Sequence, residues 1–420
     1  MEAEICLPYG DTYINLKNEG FNVLRPQMKH VWGTDENEKV IRAMQRPIAS
    51  PPLESLASKA KTAVVIISDH TRPVPSKMIL PNILKALRRG NPFIDITLLV
   101  ATGCHRETKR EELRQKLGDS ILEKERIVIH DCDRSETVNL GCLPSGAILK
   151  INKLAAEADL LVSEGFIGPH LFAGFSGGRK SVLPGICSRL TVLANHCGTF
   201  INDKNARTGR LEGNPIHEDM TAAVKLSKLA YIVNVIIDEK KNIIAAFAGD
   251  PVRAHLEGCK VLAEMCRVKA VPADICITTN GGAPLDQNVY QSIKGMTAAE
   301  QTALPGGVII MCAECRDGIG SDILYQYIKE CASLQNEYEK LCRRPPEDTF
   351  PDQWQIQILL RILLKYKVIF VTRNNLADQI REMKMSYAET IDEALNMARN
   401  IKGETASVTV VPNGVGVIVE

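Results

Sequence analysis

Residues 158–185 read ADLLVSEGFIGPHLFAGFSGGRKSVLPG. The run Ala158–Ser163 predicts a buried strand, and the segment after it holds His170, glycines 168, 174, 177 and 178, and Lys180 before Pro184–Gly185. A strand that empties into a polar, flexible loop is the pattern of an open α/β sheet, whose functional groups collect beyond the carboxyl ends of the strands. Glycines at this density let the backbone take positive φ and approach a ligand closely. Gly174–Ser181 comes near the phosphate loop GxxxxGK[ST], with Arg179 where that motif needs glycine. Two readings stay open at this level: a cradle for a phosphate-bearing ligand, with Ser176, Gly177 and Gly178 as its lining, or a tight loop covering a sheet edge.

The same pattern recurs on both sides of this stretch. Ala63–Ser68 predicts a strand, followed by a loop with Asp69, His70 and Arg72 and then a helix to about Arg89. Asp69 is open to reading as a helix cap; Arg72, a guanidinium between two turn elements, calls for an anion. Ile94–Val100 predicts the next strand, with His105 in the loop beyond it, and Arg126–Ile129 a shorter one. Three junctions thus bring a histidine or a cation to one rim, which points to a shared site. Ser188–His196 has helical period with His196 at its far end, whereas Asn205–Met220 is polar and glycine-bearing. Tyr231–Ile237 and Ile243–Ala248 predict a hairpin, and Pro251 to about Val268 a helix.

A second α/β unit starts near residue 270. Asp274–Thr278 predicts a strand, and from Asn288 the chain is helical, with Tyr290 and Lys294 on one face and Gln291 beside them. Strands follow at Val308–Ala313 and Lys367–Thr372, and helices at Asp322–Leu341, Trp354–Tyr366 and Ile391–Ile401. The strand-rich end, Ser407–Val419, is expected to rejoin one of the sheets. The reading is therefore α/β, two domains with largely parallel sheets: residues 1–269, with 406–420 a candidate to return to them, and residues 270–405, the active site in the cleft between.

Composition narrows the function. The 420 residues carry 51 Lys plus Arg against 50 Asp plus Glu, so no basic footprint marks a nucleic-acid binder. The absence of a long apolar run or of an apolar signal core predicts a cytoplasmic protein with no membrane partner. The 13 cysteines are odd in number and scattered, as in reduced intracellular chains. Cys312 and Cys315 have CxxC spacing but no second pair, and their role stays open. His30, His130, His217 and His255 belong to no motif and read as packing or surface residues.

Taken together, Ser68-Asp-His-Thr-Arg72-Pro, Ala101-Thr-Gly-Cys-His105-Arg, Gly168-Pro-His170, Gly177-Gly-Arg-Lys180-Ser, His196, Pro284-Leu-Asp-Gln-Asn-Val-Tyr290-Gln291-Ser-Ile-Lys294-Gly-Met and Trp354 resemble the nickel-dependent lactate racemase family over nearly the whole chain. The resemblance implies a nickel-pincer pyridinium mononucleotide, made by separate cofactor-biosynthesis proteins, in the N-terminal domain. It implies Lys180 as the covalent tether, His196 as the protein's nickel ligand, and His105 and His170 as the catalytic bases. Arg72 and Lys294 would hold the carboxylate of a small 2-hydroxy acid, with Asp69, Tyr290, Gln291 and Trp354 supporting cofactor or substrate. Lactate is the first expectation; malate or a longer acid stays open, with Phe172 the position to tune it. The other readings are a nucleotide-binding enzyme using Gly174–Ser181 and a cofactor carrier without turnover.

Two imidazoles suit such a reaction, because a pKa near 6.5 lets each act as base in one direction and acid in the other. Removing the C2 hydrogen of a 2-hydroxy acid as a proton is disfavoured by the carboxylate already beside it. Removing it as a hydride avoids that carbanion.

Overall fold

The computed structural model describes residues 4–26 and 35–420; His30 lies outside them. Two six-stranded sheets organise the chain. In the first, the order is 243–249, 229–237, 160–166, 62–68, 95–101, 126–129. All its neighbours are parallel except the edge strand Ile243–Gly249, which turns back antiparallel on Leu229–Ile237. The interior strands read as continuous apolar runs, such as TAVVIIS at Thr62–Ser68, because helices cover both faces. Val65, Ile67, Leu98, Val100, Val162 and Val233 fill one face, and Ile66, Leu99 and Leu161 the other.

The second sheet is parallel throughout, in the order 386–388, 367–371, 303–312, 273–279, 408–411, 22–23. The terminal segment does not return to the first sheet: Val408–Val411 lies beside Ala273–Thr279. Only the last residues reach back, where Ile418–Val419 pairs with Arg267–Val268 at the start of the second unit. The chain's beginning also departs from the expected partition. Glu4–Tyr9 and Thr12–Lys17 form a hairpin whose Ile5, Leu7 and Leu16 pack against Ile275, Ile277 and Ile310 of the second sheet. Both ends of the chain thus contribute to the second lobe.

In each sheet the chain order reverses at one point. In the first, successive strands step outward from 62–68 to 95–101 to 126–129, and then 160–166 is laid on the opposite side of 62–68. In the second, the reversal falls between 273–279 and 408–411. Loops leaving the carboxyl ends of strands at such a point diverge and leave a crevice, where ligands of open α/β sheets bind. Asp69–Arg72 and Gly165–Lys180 leave the first crevice; the loop that leads to Tyr290, Gln291 and Lys294 leaves the second.

One helix was not expected from the sequence, and another proves to be two. The polar segment Asn205–Met220 runs into a helix, Pro215–Ser227, opened by the Asn214 side chain, which accepts from the main-chain N–H of Ile216 and His217. The stretch 322–341 is two helices, Asp322–Glu330 and Leu334–Cys342, each capped by a serine. The lobes are joined by packing as well as by chain. Gly198 sits so close to the second lobe that a Cβ would lie 1.9 Å from the carbonyl oxygen of Leu341.

Candidate active site

One cavity of about 520 Å³ receives side chains from both lobes. Asp69, Arg72, His105, His170, Ser176, Gly177, Gly178, Lys180 and His196 line it from the first lobe, and Tyr290, Gln291, Lys294 and Trp354 from the second. Every site residue expected from the sequence therefore meets in one space.

The loop after Thr62–Ser68 folds back on Asp69, which is buried. Its Oδ1 accepts from the backbone N–H of Thr71 at 3.2 Å and from the Thr71 hydroxyl at 2.8 Å. Its Oδ2 lies 2.7 Å from Nδ1 of His105. Burial by itself would raise this carboxyl, but the His105 ring, its hydrogen bond and Arg72 together hold it well below the usual carboxylate range. Both oxygens thus have partners within the chain, and Asp69 supports His105.

His170 stands on the loop after Leu160–Phe166. The backbone N–H of Ala173 donates to its Nδ1 at 3.3 Å. Burial, followed by the charges of Lys180, Lys294, Arg72 and His196, keeps its imidazolium form well below the ordinary range. Phe172 stands edge-on to His170, with ring centres 4.6 Å apart, and edge-on to His196 at 5.0 Å. His196 meets the ring of Trp354 in turn at 5.1 Å.

His196 terminates the helix Arg189–Asn195, which opens on the Ser188 cap. Its Nδ1 is buried without a partner among the described residues, and burial with Lys180 nearby lowers the ring to about 3, so it is a neutral imidazole. Among the described residues Lys180 has no carboxylate partner. Burial and the charges of Arg179, Arg72 and Lys294 hold its amine well below the usual lysine range. Lys294 is lowered by burial and by Arg72, and its ammonium bonds the side chain of Gln291.

The glycines of the 174–178 segment answer to packing. A Cβ on Gly177 would come 2.7 Å from the carbonyl oxygen of Phe166 and from Oδ1 of Asn234, and one on Gly178 would come 2.6 Å from the ring of His255. Two of the expected phosphate-cradling amides are already engaged: Ser176 N–H donates to the Gly168 carbonyl and Gly178 N–H to Asn234 Oδ1, each at 2.7 Å. Gly178–Ser181 is a single four-residue 3₁₀ turn, so the helix that a phosphate loop opens into is missing. Arg179 is a buried strut, donating to the carbonyls of Phe175 at 3.0 Å and Ala173 at 2.6 Å. These features remove the physical basis for reading Gly174–Ser181 as a nucleotide site.

Sequence reading missed Thr71 and Asp352. Asp352 lines the cavity with φ of 65°, accepts from the Ser321 hydroxyl at 2.6 Å and faces the Tyr290 hydroxyl. A polar residue just before a helical run signals a cap, but this side chain caps nothing. Cys312 and Cys315 are buried, and burial pushes both thiols up to about 12, so they are inert. Among the described residues the one group of His, Cys, Asp and Glu with ligand atoms mutually in reach is Asp131, Cys132 and Asp133, where Asp133 already holds Arg189. No helix among the described residues is long and apolar enough to cross a membrane.

Comparison with known proteins shows the family. Residues 9–209 match the model of the lactate racemase N-terminal domain and residues 268–419 that of the lactate racemase C-terminal domain. The lactate racemase of Thermoanaerobacterium thermosaccharolyticum is 48% identical over 99% of both chains, and that of Lactiplantibacillus plantarum 50% identical over 92% of this chain and 91% of its own. The structure of the T. thermosaccharolyticum lactate racemase apoprotein superposes with a TM-score of 0.95 over 100% of both chains. A Thermotoga maritima protein, 19% identical, shares the fold with a TM-score of 0.64 over 89% of this chain and 99% of its own. The chain belongs to the lactate racemase family and is an isomerase of the racemase class.

Proposed function

We propose that this chain inverts C2 of a small 2-hydroxy acid, lactate in the first place, using a nickel-pincer pyridinium mononucleotide attached at Lys180. The observation that carries the reading is the convergence, in one cavity, of Arg72 and Lys294 from opposite lobes, two histidines, the buried amine of Lys180 and the buried imidazole of His196, whose Nδ1 has no partner among the described residues.

The donor set fits such a group. His196 offers a neutral ring nitrogen, and no other cluster of protein ligands lies at the cavity among the described residues. A metal held there would take its remaining ligands from something other than side chains, and soft sulfur donors with one imidazole suit nickel. Lys180 supplies the amine for the tether. When bound, the group supplies a reversible acceptor for the hydrogen on C2.

The chain's own residues do the rest. Arg72 and Lys294 grip the substrate carboxylate from the two lobes, and the guanidinium fork fixes its plane. His105, backed by Asp69, takes the hydroxyl proton. Phe172, buried between His170 and His196, presents an apolar wall that suits a methyl and disfavours a second carboxylate. Trp354, Tyr290 and Gln291 close the space from the second lobe and exclude water.

The test is to load the full chain with the cofactor and assay a panel of D- and L-2-hydroxy acids by chiral chromatography. Lactate should be interconverted, and a mass increment that survives denaturation should map to the Lys180 peptide. Interconversion of malate or a longer acid in preference to lactate would move the substrate assignment. No interconversion of any acid by loaded protein would leave a carrier role in its place.

A further inference from the structure

We infer that Asp352 is a positioning residue of the active site: its carboxylate holds the Tyr290 phenol, the phenol holds the Trp354 indole, and the indole faces the ring of His196. The inference deepens the proposed function and rests on it for the role of His196; the chain of contacts stands without it.

Asp352 comes just before the helix Gln353–Lys365, where a carboxylate ordinarily caps, yet its side chain bonds none of that helix's first N–H groups. Its backbone is left-handed, with φ of 65° and ψ of 1°, a conformation that suits glycine better than any residue with a Cβ. A strained carboxylate that caps nothing and lines a cavity points to a use elsewhere. Its Oδ2 accepts from the Ser321 hydroxyl at 2.6 Å, and Ser321 Oγ in turn accepts from the N–H of Leu324 at 3.0 Å.

The other end of the chain begins at the indole. An indole N–H only donates, so in the 2.9 Å bond between Trp354 and Tyr290 the phenol oxygen accepts. The phenol's own hydrogen then needs an acceptor, and the Asp352 carboxylate takes it. Main-chain bonds bring the partners together. Tyr290 N–H donates to the carbonyl of Ile319, two residues before Ser321, at 2.9 Å, and Gln355 N–H to the Asp352 carbonyl at 2.9 Å. The Gln355 side chain reaches the Tyr290 carbonyl at 2.7 Å. The carboxylate thus stands between two hydroxyls, and every hydrogen runs toward it: indole to phenol, phenol to carboxylate, serine to carboxylate.

Trp354 held in this way meets His196 edge-on with ring centres 5.1 Å apart, while Phe172 meets the same imidazole edge-on at 5.0 Å. Two rings therefore clasp His196, and one of them is itself held by Asp352. Asparagine at 352 would tolerate the same φ, but it has a single acceptor oxygen where Ser321 and Tyr290 each need one.

The experiment uses the full cofactor-free chain in a Trp32→Phe background, where Trp354 carries the one indole N–H, and follows its hydrogen exchange by ¹H–¹⁵N correlation. Asp352→Asn should quicken that exchange by about tenfold or more, with the parent's circular dichroism as evidence of folding. Tyr290→Phe should quicken it too, and adding Asp352→Asn to Tyr290→Phe should change nothing further, because the carboxylate acts through the phenol. In loaded enzyme Asp352→Asn should lower kcat for lactate by about tenfold or more and leave KM near the parent's, since Arg72 and Lys294 still hold the substrate carboxylate. Should Asp352→Asn not fold, Asp352→Gly, at ease with this backbone, is read in the same way. Unchanged exchange, an effect that persists in full beside Tyr290→Phe, or an unchanged kcat would overturn the inference. Loaded parent enzyme that interconverts no acid would defeat the proposed function while the exchange rates still decide the chain of contacts, so the two failures are distinguishable.

Discussion

The indole N–H of Trp354 donates to the phenol oxygen of Tyr290 at 2.9 Å. Tyr290 lies one turn before Lys294 on the helix Val289–Glu300, and Trp354 opens the helix Gln353–Lys365. The same pair of helices is tied again where Gln355 Nε2 donates to the Tyr290 carbonyl at 2.7 Å. The second lobe's wall of the cavity is therefore one unit, and Trp354 carries it against His196 in the first lobe.

Tyr290→Phe removes the acceptor of a buried donor. Leaving the indole N–H unpaired should cost about 1–3 kcal/mol. The chain has two tryptophans, so a Trp32→Phe background isolates the emission of Trp354. Tyr290→Phe in that background should shift the emission of the cofactor-free protein; an unchanged spectrum would show that the bond is not formed in solution.

A buried ion pair fastens the same helices deeper in. Arg361 meets both oxygens of Glu300, at 2.9 and 2.7 Å, with both side chains nearly covered. Arg361→Ala would leave the buried glutamate only the exposed ammonium of Lys365 at 3.6 Å and is expected to cost about 3 kcal/mol, read as a lower urea midpoint. Arg361→Met with Glu300→Leu should recover most of that loss, because an apolar pair needs no desolvated charges. A single variant as stable as the parent would mean that the pair is solvated.

Much of the first lobe was legible because its signals are local. A strand such as Thr62–Ser68 announces itself by unbroken apolar sequence, and the next polar residues, Asp69 and Arg72, are bound to emerge at its carboxyl end. What the sequence concealed depends on partners far along the chain. Nothing within Glu4–Lys17 says that its apolar side chains will meet Ile275 and Ile310. Gly177 and Gly178 advertise a ligand loop, whereas their lost Cβ atoms make room for Phe166, Asn234 and His255. Asp352 resembles a cap and instead serves Ser321 and Tyr290 across other elements.

The two histidines and the lysine separate by function. His105→Ala or His170→Ala is expected to lower turnover by on the order of 10²–10⁴-fold. The adduct at Lys180 should persist in both, since neither ring is needed to hold the amine. Lys180→Ala should lose the adduct as seen in the mass of the denatured chain. Full activity in either histidine variant would remove its assigned role.

Acid sensitivity follows from histidines held neutral. Burial, with Lys180 for His196 and Arg179 for His217, lowers both rings to about 3. In the unfolded chain they titrate near 6.5, so between those values the unfolded state binds more protons. The stability of the cofactor-free protein is thus intact above about pH 6.5 and is lost as pH falls toward 3. His217→Gln, away from the cavity, should flatten this dependence in urea titrations at pH 7.5 and 5. An equal slope in variant and parent would place the proton uptake elsewhere.

Phe172 offers the clearest handle on the substrate. Its ring touches His170 and His196 edge-on and lies 5.7 Å from the Lys180 nitrogen, so it fills space between base, ligand and tether. Phe172→Ala opens that wall. A methyl then has less surface to meet, while a longer side chain gains room, and each methylene in an apolar pocket is worth about 1–3 kcal/mol. The ratio of kcat/KM for 2-hydroxybutyrate to that for lactate should rise by about tenfold or more. Because two enantiomers have equal free energies, kcat/KM must stay equal in the two directions for each acid, which checks every measurement internally. A ratio that does not move, with the Lys180 adduct still formed, would place the substrate's side chain against another wall, Trp354 being the next to vary.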